Sequence, residues 1–79
     1  MSISKRIRVS TGTIAFIDID NGLVGLTDAS GHVTNYNILP ADLYDTDGNR
    51  IFIDELRPGD HIMINETGYL MIMRVLKTA

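Results

Sequence analysis

With 79 residues, a net charge of −3 and no cysteine, this chain forms one small domain, 1–79, without disulfides, thiolate metal sites or a cysteine nucleophile. A chain this short buries only about 60–65% of its unfolded surface, so its core needs tight β packing or a partner chain. Its hydrophobic content of 44% excludes a disordered chain.

The N-terminus, Met1 to Arg8, is basic and runs into Val9-Ser10-Thr11-Gly12-Thr13 rather than a long apolar stretch. Neither a signal peptide nor a membrane anchor is expected, and a cytoplasmic location is the default. Period-two alternation and turn residues recur along the chain, and a helical period fits nowhere. The first strand is expected from Lys5 to Ile19, bending at Gly12, where a missing side chain permits a bulge or a close backbone approach. Asp20-Asn21-Gly22-Leu23 reads as a type I′ hairpin turn. Counting outward from it pairs Ile19 with Val24 and Ile17 with Leu26 on the core face, leaving Asp18, Asp20, Leu23, Gly25, Thr27 and Phe16 opposite.

Asp28-Ala29-Ser30-Gly31 forms a second turn, leading into a strand from His32 to Ile38. A two-residue loop points Val33 inward and a three-residue loop points Thr34 and Tyr36 inward. The second register buries the larger side chains and is preferred. Pro40 then interrupts the ladder and marks an edge or a crossover. Leu43-Tyr44 and Ile51-Phe52-Ile53 flank a turn at Asp47-Gly48-Asn49, and Asp54-Glu55-Leu56 suits one helical or 3₁₀ turn. Pro58-Gly59 meets the two demands of a type II turn. A final hairpin spans His61 to Leu76 around Glu66-Thr67-Gly68.

A long bent first strand, a hairpin, an irregular link and a closing hairpin describe an all-β, five- to six-stranded, antiparallel, partly closed barrel of the OB type. An SH3-like barrel is the competing arrangement. Gly12-Thr13-Ile14-Ala15-Phe16-Ile17-Asp18, Asn21-Gly22-Leu23-Val24-Gly25-Leu26, Gly31 and Leu56-x-Pro58-Gly59-Asp60-x-Ile62 together resemble two groups. The first is the small bacterial β-barrel domains of unknown function that carry a G-x-h…L-x-P-G-D-x-V pattern. The second, more distant, is the OB-fold of the bacterial translation initiation factor and of ribosomal S1-type domains. The resemblance implies a barrel and carries over no activity, because these residues are the turns and core positions such a barrel needs.

With a three-residue loop at Glu66–Gly68, Met63 faces Met71, His61 faces Met73 and Asn65 faces Tyr69, with Ile62, Ile64, Leu70 and Ile72 on the other side. Both faces of the hairpin are then apolar, and an apolar stripe on a small domain marks a contact surface. His61, Met63, Tyr69, Met71 and Met73 are therefore the candidate interface, implying a homo-oligomer or a complex with another protein. The same residues form a soft donor set suited to Cu(I), although methionines on a strand face are chiefly packing residues, and no cofactor or metal is expected. Asp18-x-Asp20-Asn21-Gly22 and Asp45-x-Asp47-Gly48-Asn49 resemble fragments of calcium loops but lack the distal glutamate, and read as turns.

Catalysis is not expected. His32 and His61 stand outside any nucleophile or metal motif, and no glycine-rich phosphate loop precedes a helix. Lys5, Arg6, Arg8, Arg74 and Lys77 gather at the two ends, while all ten acids lie between them with only Arg50 and Arg57. If the first and last strands are neighbours, these five cations make one basic side and a candidate nucleic-acid contact. Tyr36, Tyr44 and Phe52 are candidate stacking platforms, set among acids that oppose phosphate binding. The expected function is a non-catalytic interaction or assembly module contacting partners through the C-terminal hairpin, with an OB-type oligonucleotide-binding module as the alternative.

Overall fold

A computed structural model describes residues 7–79. The chain is all-β and builds one mixed sheet of seven strands: β1 (Arg8–Asp18), β2 (Leu23–Thr27), β3 (Val33–Asn37), β4 (Ala41–Tyr44), β5 (Arg50–Ile51), β6 (His61–Glu66) and β7 (Met71–Lys77). Among the described residues one 3₁₀ turn at Ile53–Glu55 interrupts them, a residue earlier than the Asp54–Leu56 turn expected, with the Phe52 N–H donating to Glu55 Oε2 at 2.7 Å. The strand order is β3-β2-β1-β6-β7-β4-β5, and the hydrogen-bonded ladder stays open between β3 and β5. Neighbouring pairs are antiparallel except β4 with β7, which run parallel. That exception departs from the all-antiparallel expectation. β3 ends at Asn37, and the chain crosses in Ile38-Leu39-Pro40, where proline has no N–H to continue the ladder, to begin β4 beside β7.

The long first strand serves two partners. Arg8 to Thr13 pair with β6, and Thr13 to Asp18 pair with β2. Gly12 sits near the changeover, where a Cβ would lie 2.8 Å from the Thr27 carbonyl oxygen, so only glycine fits. The register break itself falls at Ala15, between the pairs Ile14–Leu26 and Phe16–Gly25. Residues 5 and 6 of the expected first strand lie outside the described residues.

The β1–β2 hairpin differs from the type I′ reading. Every positive φ among the described residues belongs to glycine, so Asn21 does not supply the second left-handed position that such a turn requires. Asp18 instead pairs with Leu23 around a four-residue loop, and its carboxylate takes the Asn21 N–H and amide. Ile17 therefore faces Val24, and Ile19 is left exposed in the loop rather than in the core. At β2–β3, Leu26 faces Thr34 and Val24 faces Tyr36, which points Tyr36 at the core as preferred.

Asp28–His32 and Asp45–Asn49 close their hairpins with one loop used twice. In each, the aspartate N–H bonds the carbonyl four residues on at 2.9 Å, and the glycine N–H returns to the aspartate carbonyl at 3.1 Å. In each, the aspartate Oδ1 accepts N–H groups two and four residues ahead, and the glycine takes a φ of 88° or 84°.

Ile14, Val24, Leu26, Ile38, Leu43, Ile51, Leu56, Ile62, Ile64, Met73 and Val75 make one core. The Pro58-Gly59 corner closes it. Gly59 takes a φ of 96°, Asp60 N–H bonds the Arg57 carbonyl, and the Gly59 N–H and Asp60 carbonyl pair with Ile14 of β1. Asp60 is the one buried charged residue among those described; its carboxylate accepts the Arg57 N–H and the Ala79 N–H, each at 3.0 Å.

Candidate functional site

The C-terminal hairpin does not present the stripe expected of it. Glu66 pairs with Met71, so the loop is Thr67–Leu70, one residue longer than the reading that set Met63 opposite Met71. Thr67 organises it: its hydroxyl oxygen accepts the Leu70 N–H at 3.0 Å and its own N–H donates to the Leu70 carbonyl at 2.8 Å. The pairing shifts by three residues, so that Met63 faces Arg74 rather than Met71, and an odd shift turns every side chain of a strand to the other face. Met71 and Met73 thus join Ile62 and Ile64 on the core side, and Met73 is fully buried.

The physical reason lies in Arg74. In the shorter register Leu70, Ile72 and Arg74 share the core-facing side, which buries a guanidinium. The observed register buries Met73 and Val75 and turns Arg74 outward beside Met63. Burying such a side chain contributes about 1.5–3 kcal/mol, while one extra loop residue costs little.

The five expected interface residues therefore do not meet. Met63 is half-buried on the outer face and His61 is exposed there, its Nδ1 3.0 Å from Thr13 Oγ1. Tyr69 stands at the loop tip, 95% exposed. No soft donor set forms, since Met71 and Met73 lie across the sheet from His61 and Met63. Among the described residues the three cations of the expected basic side do not adjoin: β6 separates β1 from β7, and Arg8 lies opposite Glu66, while Arg74 and Lys77 lie opposite Met63 and His61. Lys5 and Arg6 lie outside the described residues. Of the candidate platforms, Tyr36 packs on the core, Tyr44 pairs beside Arg74 and Arg50, and Phe52 is well exposed.

Apolar side chains instead gather where the loops meet. The Ile38 N–H donates to the Gly22 carbonyl at 2.8 Å, sewing the β3–β4 link onto the β1–β2 turn. Gly22, at a φ of 66°, lies directly beneath Leu39, whose side chain fills the space a Cβ would occupy. Pro40 shares an open concavity of about 250 Å³ with the Thr67–Met71 loop. Leu39 and Phe52 line another, of about 160 Å³, floored by Ile38, Leu43 and Ile51. Leu39, Phe52 and Leu70 are 71%, 74% and 58% exposed, and Tyr69 more so.

Alternation along strands has no place for such residues, because each lies outside the strands. The available signal was an apolar residue inside a turn cluster: Leu39 before Pro40, and Tyr69-Leu70 after Gly68. A third exposed aromatic, Phe16, lies over Gly25 on the outer face of β1 and β2, leaving no room there for a Cβ.

Among the described residues no helix is long and apolar enough to cross a membrane, and no group of three or more His, Asp or Glu is placed to hold a metal ion. No protein-family model matches this chain, and no curated protein matches it.

Proposed function

We propose that this chain is a non-catalytic interaction and assembly module whose contact surface for another protein is the loop end carrying Leu39, Phe52, Tyr69 and Leu70. The observation that carries this reading is a pair of concavities joined at Leu39-Pro40, one lined by Leu39 and Phe52 and the other by Tyr69 and Leu70, with each of these four side chains more than half exposed. Isolated exposed apolar residues need no explanation, but a cluster on so small a domain marks a contact surface. Aromatic anchors supply much of the energy at such surfaces.

The test is a photoreactive phenylalanine analogue placed at Tyr69 and, as a control, at Asp47. Protein cross-links from position 69 that disappear in Leu39→Ser are expected. Equal cross-linking from both positions sinks the assignment.

We also read the sheet as an OB-like barrel in which β3 and β4 are two halves of one strand broken at Pro40. Counted together, they bring β2 and β7 to a shared neighbour, which is the OB strand order. Phe16 over Gly25 supports a second reading, oligonucleotide binding, because an exposed aromatic on that outer face suits base stacking. Short single strands titrated at low salt should bind, weaken steeply with added salt, and lose about 1–3 kcal/mol in Phe16→Ala. Binding unaffected by that substitution removes the second reading.

A further inference from the structure

The two ends of the open ladder are treated differently. At one end β5 is two residues long, carries Arg50 in an ion pair with Asp42 at 2.8 Å, and runs into the 3₁₀ turn. Short length and charge are the usual means of discouraging a sheet edge from further pairing. At the other end β3, Val33-Thr34-Asn35-Tyr36-Asn37, has neither: it is five residues long, without charge, proline or bulge, and among the described residues it pairs with β2 alone.

The hydrogen bonds fix which groups this edge offers. The Asp28 N–H to His32 carbonyl bond and the Ile38 N–H to Gly22 carbonyl bond bracket the β2–β3 ladder at its two ends. Antiparallel bonding alternates, so Thr34 and Tyr36 bond towards β2, while Val33, Asn35 and Asn37 turn their N–H and C=O groups outward.

We propose that β3 is a dimerisation edge, and that its occupant is the β3 of a second copy of this chain, paired antiparallel about a two-fold axis through Asn35. An isologous contact must be self-complementary, and this one is: outward-bonding Val33 meets Asn37 of the other copy, and Asn35 meets its counterpart. Three such pairs, each exchanging both bonds, give about six backbone hydrogen bonds.

Charge along the strand does not oppose this occupant. Each chain carries a net −3, so two copies repel in general, and β3 lets them meet along a stretch where like charges are not opposed. On the inner side Tyr36, half-buried in one copy, gains Thr34 of the other as a neighbour. This contact is separate from the loop end and stands or falls independently of it.

Sedimentation of the full chain from about 10 μM to 1 mM, with amide exchange followed in parallel, tests the proposal. Mass should rise to the dimer with concentration. Protection of the Val33, Asn35 and Asn37 amides should rise with it, whereas Thr34 and Tyr36 should be protected throughout. Asn35→Pro removes an outward N–H at an edge position that tolerates proline, and should weaken association about tenfold or more with circular dichroism unchanged. Asn35→Lys places like charges across the axis and should weaken it in a manner that added salt reverses. Leu39→Ser/Tyr69→Ser should leave the dimer intact. A monomer across the whole range overturns the proposal. So does a dimer that both Asn35 variants retain, or one lost in the Leu39→Ser/Tyr69→Ser variant.

Discussion

The corner at Arg57–Asp60 and the hairpin loops at Asp28–His32 and Asp45–Asn49 all rest on an aspartate that accepts backbone N–H groups, yet they are wired differently into the molecule. In the loops, the aspartate bonds only to residues two and four positions ahead, with Asp28 exposed and Asp45 half-buried. Those bonds shape a turn and reach no further. At the corner, Asp60 is buried and bonds backward to Arg57 and forward to Ala79, while its main chain pairs with Ile14. One residue there ties the turn and Ala79 together through its carboxylate and the first strand through its main chain. Local geometry alone does not tell a structural pivot from a chain reversal; burial and the sequence distance of the partners do.

The sharpest way to break this contrast is Asp60→Ala. It strands two N–H groups that bond to a charged acceptor in a partly buried setting, so unfolding free energy should fall by about 2–3 kcal/mol. Denaturant midpoints report this directly, and a change under about 0.5 kcal/mol would show that the corner is no pivot. Asp60→Asn keeps the shape and one oxygen, and should recover part of the loss.

Glycines sharpen the same comparison at a smaller scale. Gly59 and Gly48 both take left-handed φ values, 96° and 84°, but a Cβ on Gly59 lies 2.9 Å from the Ala79 side chain, while a Cβ on Gly48 meets nothing within 4 Å. Gly48→Ala should therefore cost only the conformational strain, about 1 kcal/mol. Gly59→Ala should cost more, about 1–2 kcal/mol, because Ala79 must also shift. Equal costs at the two positions would mean that the C-terminal residue does not press on the corner.

What was legible in the sequence follows the same line between local and non-local causes. The all-β class, the Pro58-Gly59 turn fed by a buried Leu56, the 3₁₀ turn and the break at Pro40 each depend on residues next to one another, and each stands in the structure. Strand registers were less legible. The β1–β2 turn at Asn21-Gly22 and the C-terminal loop at Thr67–Leu70 each take one arrangement from several that local chemistry permits. The choice falls to distant partners: Leu39 over Gly22, and a core that accepts Met73 but not Arg74. The loop-end surface was illegible for a related reason, since the Leu39-Pro40 link meets the Thr67–Met71 loop only through the parallel β4–β7 pairing.

The smallest expected effect belongs to the exposed loops and is read by pH. Asp28 is held below the ordinary carboxylate value of 3.8, first by the Ser30 hydroxyl and then by the His32 N–H, with the Ser30 N–H and the His32 ring adding to both. A carboxyl whose folded value is depressed lends stability above its unfolded value and loses it as the pH falls through the folded one. The Asp28 contribution is thus intact at pH 5 and above, and should disappear between about pH 4 and the lower folded midpoint. Carbon-detected titration of the Asp28 carboxyl should place its midpoint below that of an unstructured peptide. Ser30→Ala should raise it by removing the leading cause, while Gly59→Ala at the corner should leave it unmoved. A midpoint at or above the peptide value would mean that the Ser30 hydroxyl does not bond to Asp28 in solution, and the loop would then be held by its main chain alone.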